Sequence, residues 1–267
     1  MGELHLSIVI PVFNEEQRIK PSLVKILDYF QNKPFKWEIL LVDDGSKDKG
    51  ISLAKEILKN KEEFRVISYG ENRGKGYALK QGVLASHGKY ILFTDADLAT
   101  PIDELDKMLP WFEPNSENNG YDIVQGSRKM IGATIEQHQP WLRESLGKVF
   151  TWLSNKVANS HVSDVTCGFK CYRREIGHQI YAFQHLYDWS FDSEIIFIAR
   201  KYGYKIKEVP VHWHDVRGTK VRLIKDVTRS LKGLLLIRIN NWRGNYSSRE
   251  GAIANFESVV TEYPESK

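Results

Sequence analysis

At 267 residues, 42% apolar and 12% aromatic, the chain is too apolar to be disordered and suits one large domain, or a domain with an appendage. Its net charge of +4 comes with no nucleic-acid-binding motif, which excludes nucleic acid as a partner, and no apolar run approaches the ~20 residues of a membrane span. The Met1-Gly-Glu-Leu-His5 start lacks the basic and apolar regions of a signal peptide, so the expectation is a cytoplasmic chain, with peripheral contact on the cytoplasmic face of a membrane left open.

The first half alternates short apolar runs with longer amphipathic ones. Leu6–Val12 reads as a buried strand, and Glu15–Gln31 as a helix with Ile19, Leu23, Ile26, Leu27 and Phe30 on one side. Trp37–Asp43 is a second strand and Lys47–Asn60 a second helix. Phe64–Tyr69, Gly76–Ser86 and Lys89–Asp95 continue as strand, helix, strand. Such alternation predicts βαβ units and a mainly parallel, Rossmann-like α/β sheet flanked by helices. Ligands of such sheets bind beyond the carboxyl ends of the strands. Asn14-Glu15, Asp43-Asp44 and Asp95-Ala96-Asp97 all fall at predicted strand ends and should share one rim.

The second half is less regular. Tyr121–Ser127 reads as a strand, Trp141–Val157 as a helix, Cys167–Tyr172 as a short strand, Phe191–Tyr202 as a helix and Lys205–Val209 as a strand. Cys167 and Cys171 lack the His or Cys partners of a zinc site and read as buried free thiols. Val221–Arg243 interleaves Leu231, Leu234, Leu235, Ile237 and Ile239 with bases and closes on Trp242, the pattern of a helix at a membrane interface or of one packed on a core. The expected division is a catalytic domain over 1–220, a basic amphipathic helix over 221–244 and a polar tail over 245–267.

Asp95-Ala96-Asp97 carries the chemistry. Paired carboxylates at a strand end suit Mg2+ or Mn2+, which prefer oxygen ligands and combine one or two carboxylates with phosphate oxygens. The order Ile10-Pro-Val-Phe-Asn-Glu15, Val42-Asp43-Asp44-Gly-Ser46, Asn72-Arg73-Gly-Lys75-Gly76, Asp95-Ala-Asp97 resembles the family 2 glycosyltransferases with the GT-A nucleotide-diphospho-sugar transferase fold. Gly126-Ser-Arg128, Asp164-Val-Thr-Cys-Gly168-Phe-Lys170, Trp189-Ser-Phe-Asp192-Ser-Glu194 and Arg217-Gly-Thr-Lys220 are similar to the polyprenyl-phosphate hexosyltransferases. The dolichyl-phosphate glucosyltransferases are the nearest branch and the mannose synthases the next.

That resemblance implies an inverting, metal-dependent transfer of a hexose from a nucleotide-diphosphate sugar to a polyprenyl phosphate, with glucose from UDP-glucose favoured over mannose from GDP-mannose. It assigns the nucleotide-sugar pocket to Pro11, Phe13, Glu15, Val42, Asp43, Asp44, Lys75, Asp95, Ala96, Asp97, Arg217 and Lys220. Asp97 is the direct metal ligand, with Asp95 on the ribose or the metal's water shell. Arg128, Arg143 and Ser145 take the acceptor phosphate, and Arg128 and Arg217 join the two aspartates as catalytic groups. Asp192 and Glu194 are read as sugar- or loop-positioning groups, or as plain helix N-terminal acids. A soluble acceptor and a non-catalytic nucleotide-sugar-binding protein are the competing readings.

Overall fold

A computed structural model describes residues 3–59, 63–114, 119–137, 141–215 and 223–247, without the side chains of 137, 141–144 and 223–228. Strands β1 (Leu4–Val12), β2 (Lys36–Asp43), β3 (Phe64–Ser68) and β4 (Tyr90–Thr94) alternate with helices α1 (Glu16–Phe30), α2 (Gly50–Ile57) and α3 (Lys75–Leu84). Two short 3₁₀ turns then lead into β5 (Ile123–Ser127), β6 (Thr134–Gln137) and α4 (Trp141–Val157). Next come β7 (Phe169–Arg173), α5 (Arg174–Ala182), α6 (Phe191–Lys201), β8 (Ile206–Pro210), β9 (His212–His214) and α7 (Leu223–Trp242).

Seven strands form one sheet in the order β3-β2-β1-β4-β7-β5-β8, parallel except for β7. Its centre is buried on both faces, which is why β1 and β2 read as continuous Ile, Leu and Val runs. Val9 and Val42 pack against α3 on one face, and Ile8, Ile10 and Leu41 pack with Ile19, Leu23 and Ile26 of α1 on the other. Truncating a buried leucine such as Leu41 to Ala costs about 2–5 kcal/mol in such cores. Chain order reverses between β1 and β4, so the crevice at their carboxyl ends is where a ligand fits.

The antiparallel course of β7 matters most for the site. It pairs Phe169 with Thr94, so the start of β7 lies at the rim where β4 ends. β5 and β8 run with β4 and bring Ser127 and Pro210 to that rim as well. A separate parallel pair, β6–β9, follows these ends, and the His214 amide donates to the Ala99 carbonyl at 2.9 Å, just after the aspartate pair.

The structure differs from the expected element order at three places. α5 is a helix that sequence periodicity did not announce, because Gly177 interrupts a short segment. β6 and β9 are strands of four and three residues, too short for alternation to register. Among the described residues, no helix is long and apolar enough to cross a membrane. Both cysteines are buried and free, and burial pushes the Cys167 thiol up to about 11.

Candidate active site

The register Pro11↔Val42 and Val12↔Asp43 sets the end of β1 beside the end of β2. Asn14 turns the chain out of β1 with a positive φ of 54°, a conformation asparagine tolerates better than most residues. Its amide donates to Ser46 Oγ at 3.0 Å, and its Oδ1 accepts the Lys47 amide at 2.8 Å. These bonds clamp the two rim loops together. Phe13 and Glu15 are half-buried beside them, and Glu15 lies 3.4 Å from Arg18 Nε.

Asp43 serves the turn. Its Oδ1 accepts the Ser46 amide at 2.8 Å and its Oδ2 accepts the Ser68 hydroxyl at 2.9 Å. Asp44 is buried, and its carboxylate accepts Tyr69 Oη at 2.8 Å, the Arg73 amide at 2.7 Å and the Gly74 amide at 3.0 Å. Burial pushes its pKa up, and these donors pull against that. Asp44 thus holds the 70–74 loop against the rim.

The aspartate pair sits in the turn after β4. The Leu98 amide donates to the Asp95 carbonyl at 3.1 Å, Asp97 Oδ1 accepts the Ala99 amide at 3.1 Å, and Ala96 is buried between them. Asp97 Oδ2 lies 3.5 Å from Arg18 Nη1. Burial, and then the neighbouring Asp95 charge, raise the Asp97 pKa. Asp95 Oδ1 lies 2.5 Å from Lys75 Nζ, and its carboxylate rests on Gly168, where a Cβ would overlap it. Only glycine leaves Asp95 that space.

Behind this pair lies a second one, fully inside. Lys170 Nζ donates to Asp192 Oδ1 at 2.5 Å and to the Cys167 carbonyl at 2.7 Å. Burial raises the Asp192 pKa, against the pull of Lys170 and Lys75. Burial works against the Lys75 charge too, but Asp95 and Asp192 outweigh it and its pKa is raised. Lys75 therefore stays an ammonium between two acids.

A divalent cation fits this donor set. Among the described residues no three His, Cys, Asp or Glu side chains gather, so the protein would supply the two carboxylates and leave the remaining positions to phosphate oxygens and water. The strain between neighbouring Asp95 and Asp97 charges is what a cation relieves.

Arg128 follows β5 with its fork on Asp164, Nε to Oδ2 at 2.7 Å and Nη2 to Oδ1 at 2.8 Å, and its guanidinium stacks on Trp213, 5.3 Å from the ring centroid. Burial disfavours both charges, yet the pairing dominates: the Arg128 pKa rises and the Asp164 pKa falls well below the carboxylate range. Ser145 is exposed on α4. The Arg143 side chain, Arg217 and Lys220 lie outside the described residues. Glu194 is buried away from the aspartate pair and accepts the Leu186 amide at 2.8 Å, the His185 amide at 3.1 Å and Tyr246 Oη at 2.6 Å. It clasps the loop after α5 through these bonds.

The site contains residues that the sequence reading passed over. Arg18, in the first turn of α1, reaches Asp97, and no spacing pattern announces it. Lys170 had a signal, because a lysine between Phe169 and Cys171 in a strand implies a buried counter-charge. Asp164 and Gly168 stand in the motifs and Asp192 is among the expected positioning groups, but their partners come from distant segments.

A doubly wound sheet with paired acids at the switch point is the frame of an α/β enzyme that binds its ligand at the strand ends, and the family model described as "Glycosyl transferase family 2" matches residues 7–180. The chain belongs to glycosyltransferase family 2 and has the GT-A fold. It is 34% identical over 258 residues to the dolichyl-phosphate beta-glucosyltransferase of Saccharomyces cerevisiae, covering 91% of this chain and 77% of that protein. Its identity to the human dolichyl-phosphate beta-glucosyltransferase is 31% over 253 residues, covering 90% and 76%. Among solved structures, glucosyl-3-phosphoglycerate synthase from Mycobacterium tuberculosis, in complex with Mn2+, UDP and glucosyl-3-phosphoglycerate, superposes with a TM-score of 0.62 at 20% identity, over 88% of this chain and 80% of that one.

Proposed function

We propose that this enzyme transfers glucose from UDP-glucose to a dolichyl-type polyprenyl phosphate, with inversion at the anomeric carbon and with Mg2+ or Mn2+ bound. The observation that carries the reading is the Asp95–Lys75 pair at the end of β4, with Asp97 beside it and Gly168 beneath. The relatives named dolichyl-phosphate beta-glucosyltransferase support the choice of sugar and acceptor.

Asp97 and Asp95 would hold the cation, which when bound neutralises the diphosphate and stabilises the departing nucleotide. Pro11, Phe13, Glu15 and the backbone of Val42, whose side chain packs on α3, would line the base and ribose side, while Asp43 and Asp44 set the loops around it. A phosphate monoester is mostly dianionic at neutral pH, since its second pKa is about 6, so the acceptor needs no enzymic base. It needs cations that hold it in line with the anomeric carbon. Arg128, Arg143 and Ser145 are assigned to that task, with Arg217 and Lys220 shared with the donor diphosphate.

Attachment to a membrane surface is part of the proposal. The outer face of α7 exposes Leu231, Leu235, Ile239 and Trp242, with Leu235 61% and Trp242 86% accessible. These positions recur every three or four residues, and Arg238 and Arg243 flank them. On α4, which packs against α7, Val149 and Trp152 are exposed as well. Apolar stripes edged with bases suit the interface of an anionic bilayer.

The test is incubation of the pure protein with labelled UDP-glucose, Mn2+ or Mg2+ and a short-chain polyprenyl phosphate. Label entering the organic phase in a metal-dependent way is expected. Label entering only water-soluble products would replace the lipid acceptor with a soluble one.

A further inference from the structure

The segment 184–190, which joins α5 to α6, is tethered along its length. Lys80 Nζ donates to the Gln184 carbonyl at 2.9 Å, the Gln184 side chain donates to the Gly76 carbonyl at 2.9 Å, and the Gly76 amide donates to the Tyr187 carbonyl at 3.0 Å. Glu194 holds the Leu186 amide, and Gly233 of α7 packs on Ser190 with no room for a Cβ. The strap is thus fixed to the start of α3 on one side and to α7 on the other.

On this tethered strap Trp189 stays 39% exposed. An indole left partly in water forgoes apolar burial, which is worth roughly 25 cal/mol per Å². A surface tryptophan on a slack loop would need no explanation, but this one is mounted on a segment hydrogen-bonded to α3 beside the site. Lys75 Nζ lies 5.6 Å from its ring centroid while sitting 2.5 Å from Asp95 Oδ1. One ammonium therefore pairs with an acid assigned to the cation that would carry the diphosphate and lies within cation–π reach of the indole beside it. In a nucleotide-sugar donor the hexose is the next group beyond the diphosphate.

We propose that Trp189 is a hexose-binding residue whose ring forms a wall of the donor-sugar subsite. The apolar C–H face of a pyranose packs on the indole face, and Lys75 stays available to phosphate oxygen or sugar hydroxyl. This inference rests on the donor reading given above. Because the strap's backbone is tethered to α3, binding the donor would cost less loop-ordering entropy than on an untethered loop.

Calorimetry with UDP and with UDP-glucose in Mn2+, together with transfer kinetics, tests this on Trp189→Ala, Trp189→Leu and Trp189→Phe. Trp189→Leu keeps apolar bulk without a ring and guards against loss of fold. The Ala and Leu variants should bind UDP like the wild type, bind UDP-glucose about fivefold more weakly, and lose about tenfold in kcat/KM for UDP-glucose, with the KM for polyprenyl phosphate unchanged. Trp189→Phe should recover most of the loss. Wild-type behaviour of Trp189→Leu toward UDP-glucose would overturn the assignment, and so would a loss confined to the KM for polyprenyl phosphate, which moves the indole to the acceptor. Failure of the wild type itself to bind UDP-glucose would remove the donor reading and this one with it.

Discussion

The Asp95 carboxylate lies against Gly168, 73 positions later in the chain and just before β7, with no space between them for even a methyl group. Two segments that are unrelated in sequence thus share one corner of the candidate site. Gly168→Ala should push Asp95 off its position. The overlapped atoms are the tip of a side chain, so the fold should survive at a cost of about 1 kcal/mol, the scale of one off-rotamer torsion. Transfer should fall about tenfold or more. Thermal melts and radiolabel transfer, run side by side, check both halves.

Asp97→Asn keeps the Ala99 amide bond and removes one anionic oxygen ligand. Transfer should drop about a hundredfold or more, the equivalent of several kcal/mol of lost metal-assisted charge stabilisation. A manganese titration followed by calorimetry in the presence of UDP should show weakened metal binding with an unchanged melting temperature.

Asp164 bears no assigned contact with substrate, yet it is buried beneath Arg128 and accepts both branches of its fork. Asp164→Asn leaves a largely buried guanidinium without its counter-charge. Destabilisation of about 3 kcal/mol is expected in urea unfolding, the range for breaking a buried pair by removing one partner. The double variant Asp164→Leu, Arg128→Met should recover much of that stability and remain inactive.

Burial raises the Glu194 pKa to about 7 from an ordinary 4.5, against the pull of Tyr246, Leu186, His185 and Lys80. Between those values the folded chain binds more protons than the unfolded one. Its contribution to stability is therefore complete below pH 4.5 and is lost as pH rises through 7, at no more than about 1.4 kcal/mol per pH unit. Urea unfolding of wild type and Glu194→Gln from pH 4.5 to 8 should show a steeper decline in the wild type; parallel curves would refute the assignment.

The outer stripe of α7 offers a separate test. Leu235→Glu combined with Trp242→Glu changes exposed side chains only, so melting temperature and UDP binding should hold. Flotation with anionic liposomes should be lost, and a double variant that still floats would retire the interface reading.

The alternation of strands and helices through β4, and the acids at their ends, were legible from periodicity and composition alone. Strand ends up to Asp97 follow from local patterns, since Ile, Leu and Val runs stop where a polar turn begins. The motif order also identified the family, because it needs only residue types and spacing. The direction of β7 was not legible, as a five-residue apolar strand reads the same in either sense. That direction is set by burial against β4 and β5, and it alone brings Gly168 to Asp95 and lays Lys170 under Asp192.

The roles of single acids divide in the same way. Asp95, Asp97, Asp192 and Glu194 are alike in sequence as carboxylates near the start of a turn or helix. Tertiary packing sends Asp192 and Glu194 inside, to Lys170 and to Leu186 and Tyr246, and leaves Asp95 and Asp97 on the rim. A carboxylate's charge state and availability depend on which donors and how much water surround it, and those neighbours come from segments far along the chain. Sequence alone determined the enzyme family, and only the folded structure decided which of its acids are buried with partners and which lie on the rim.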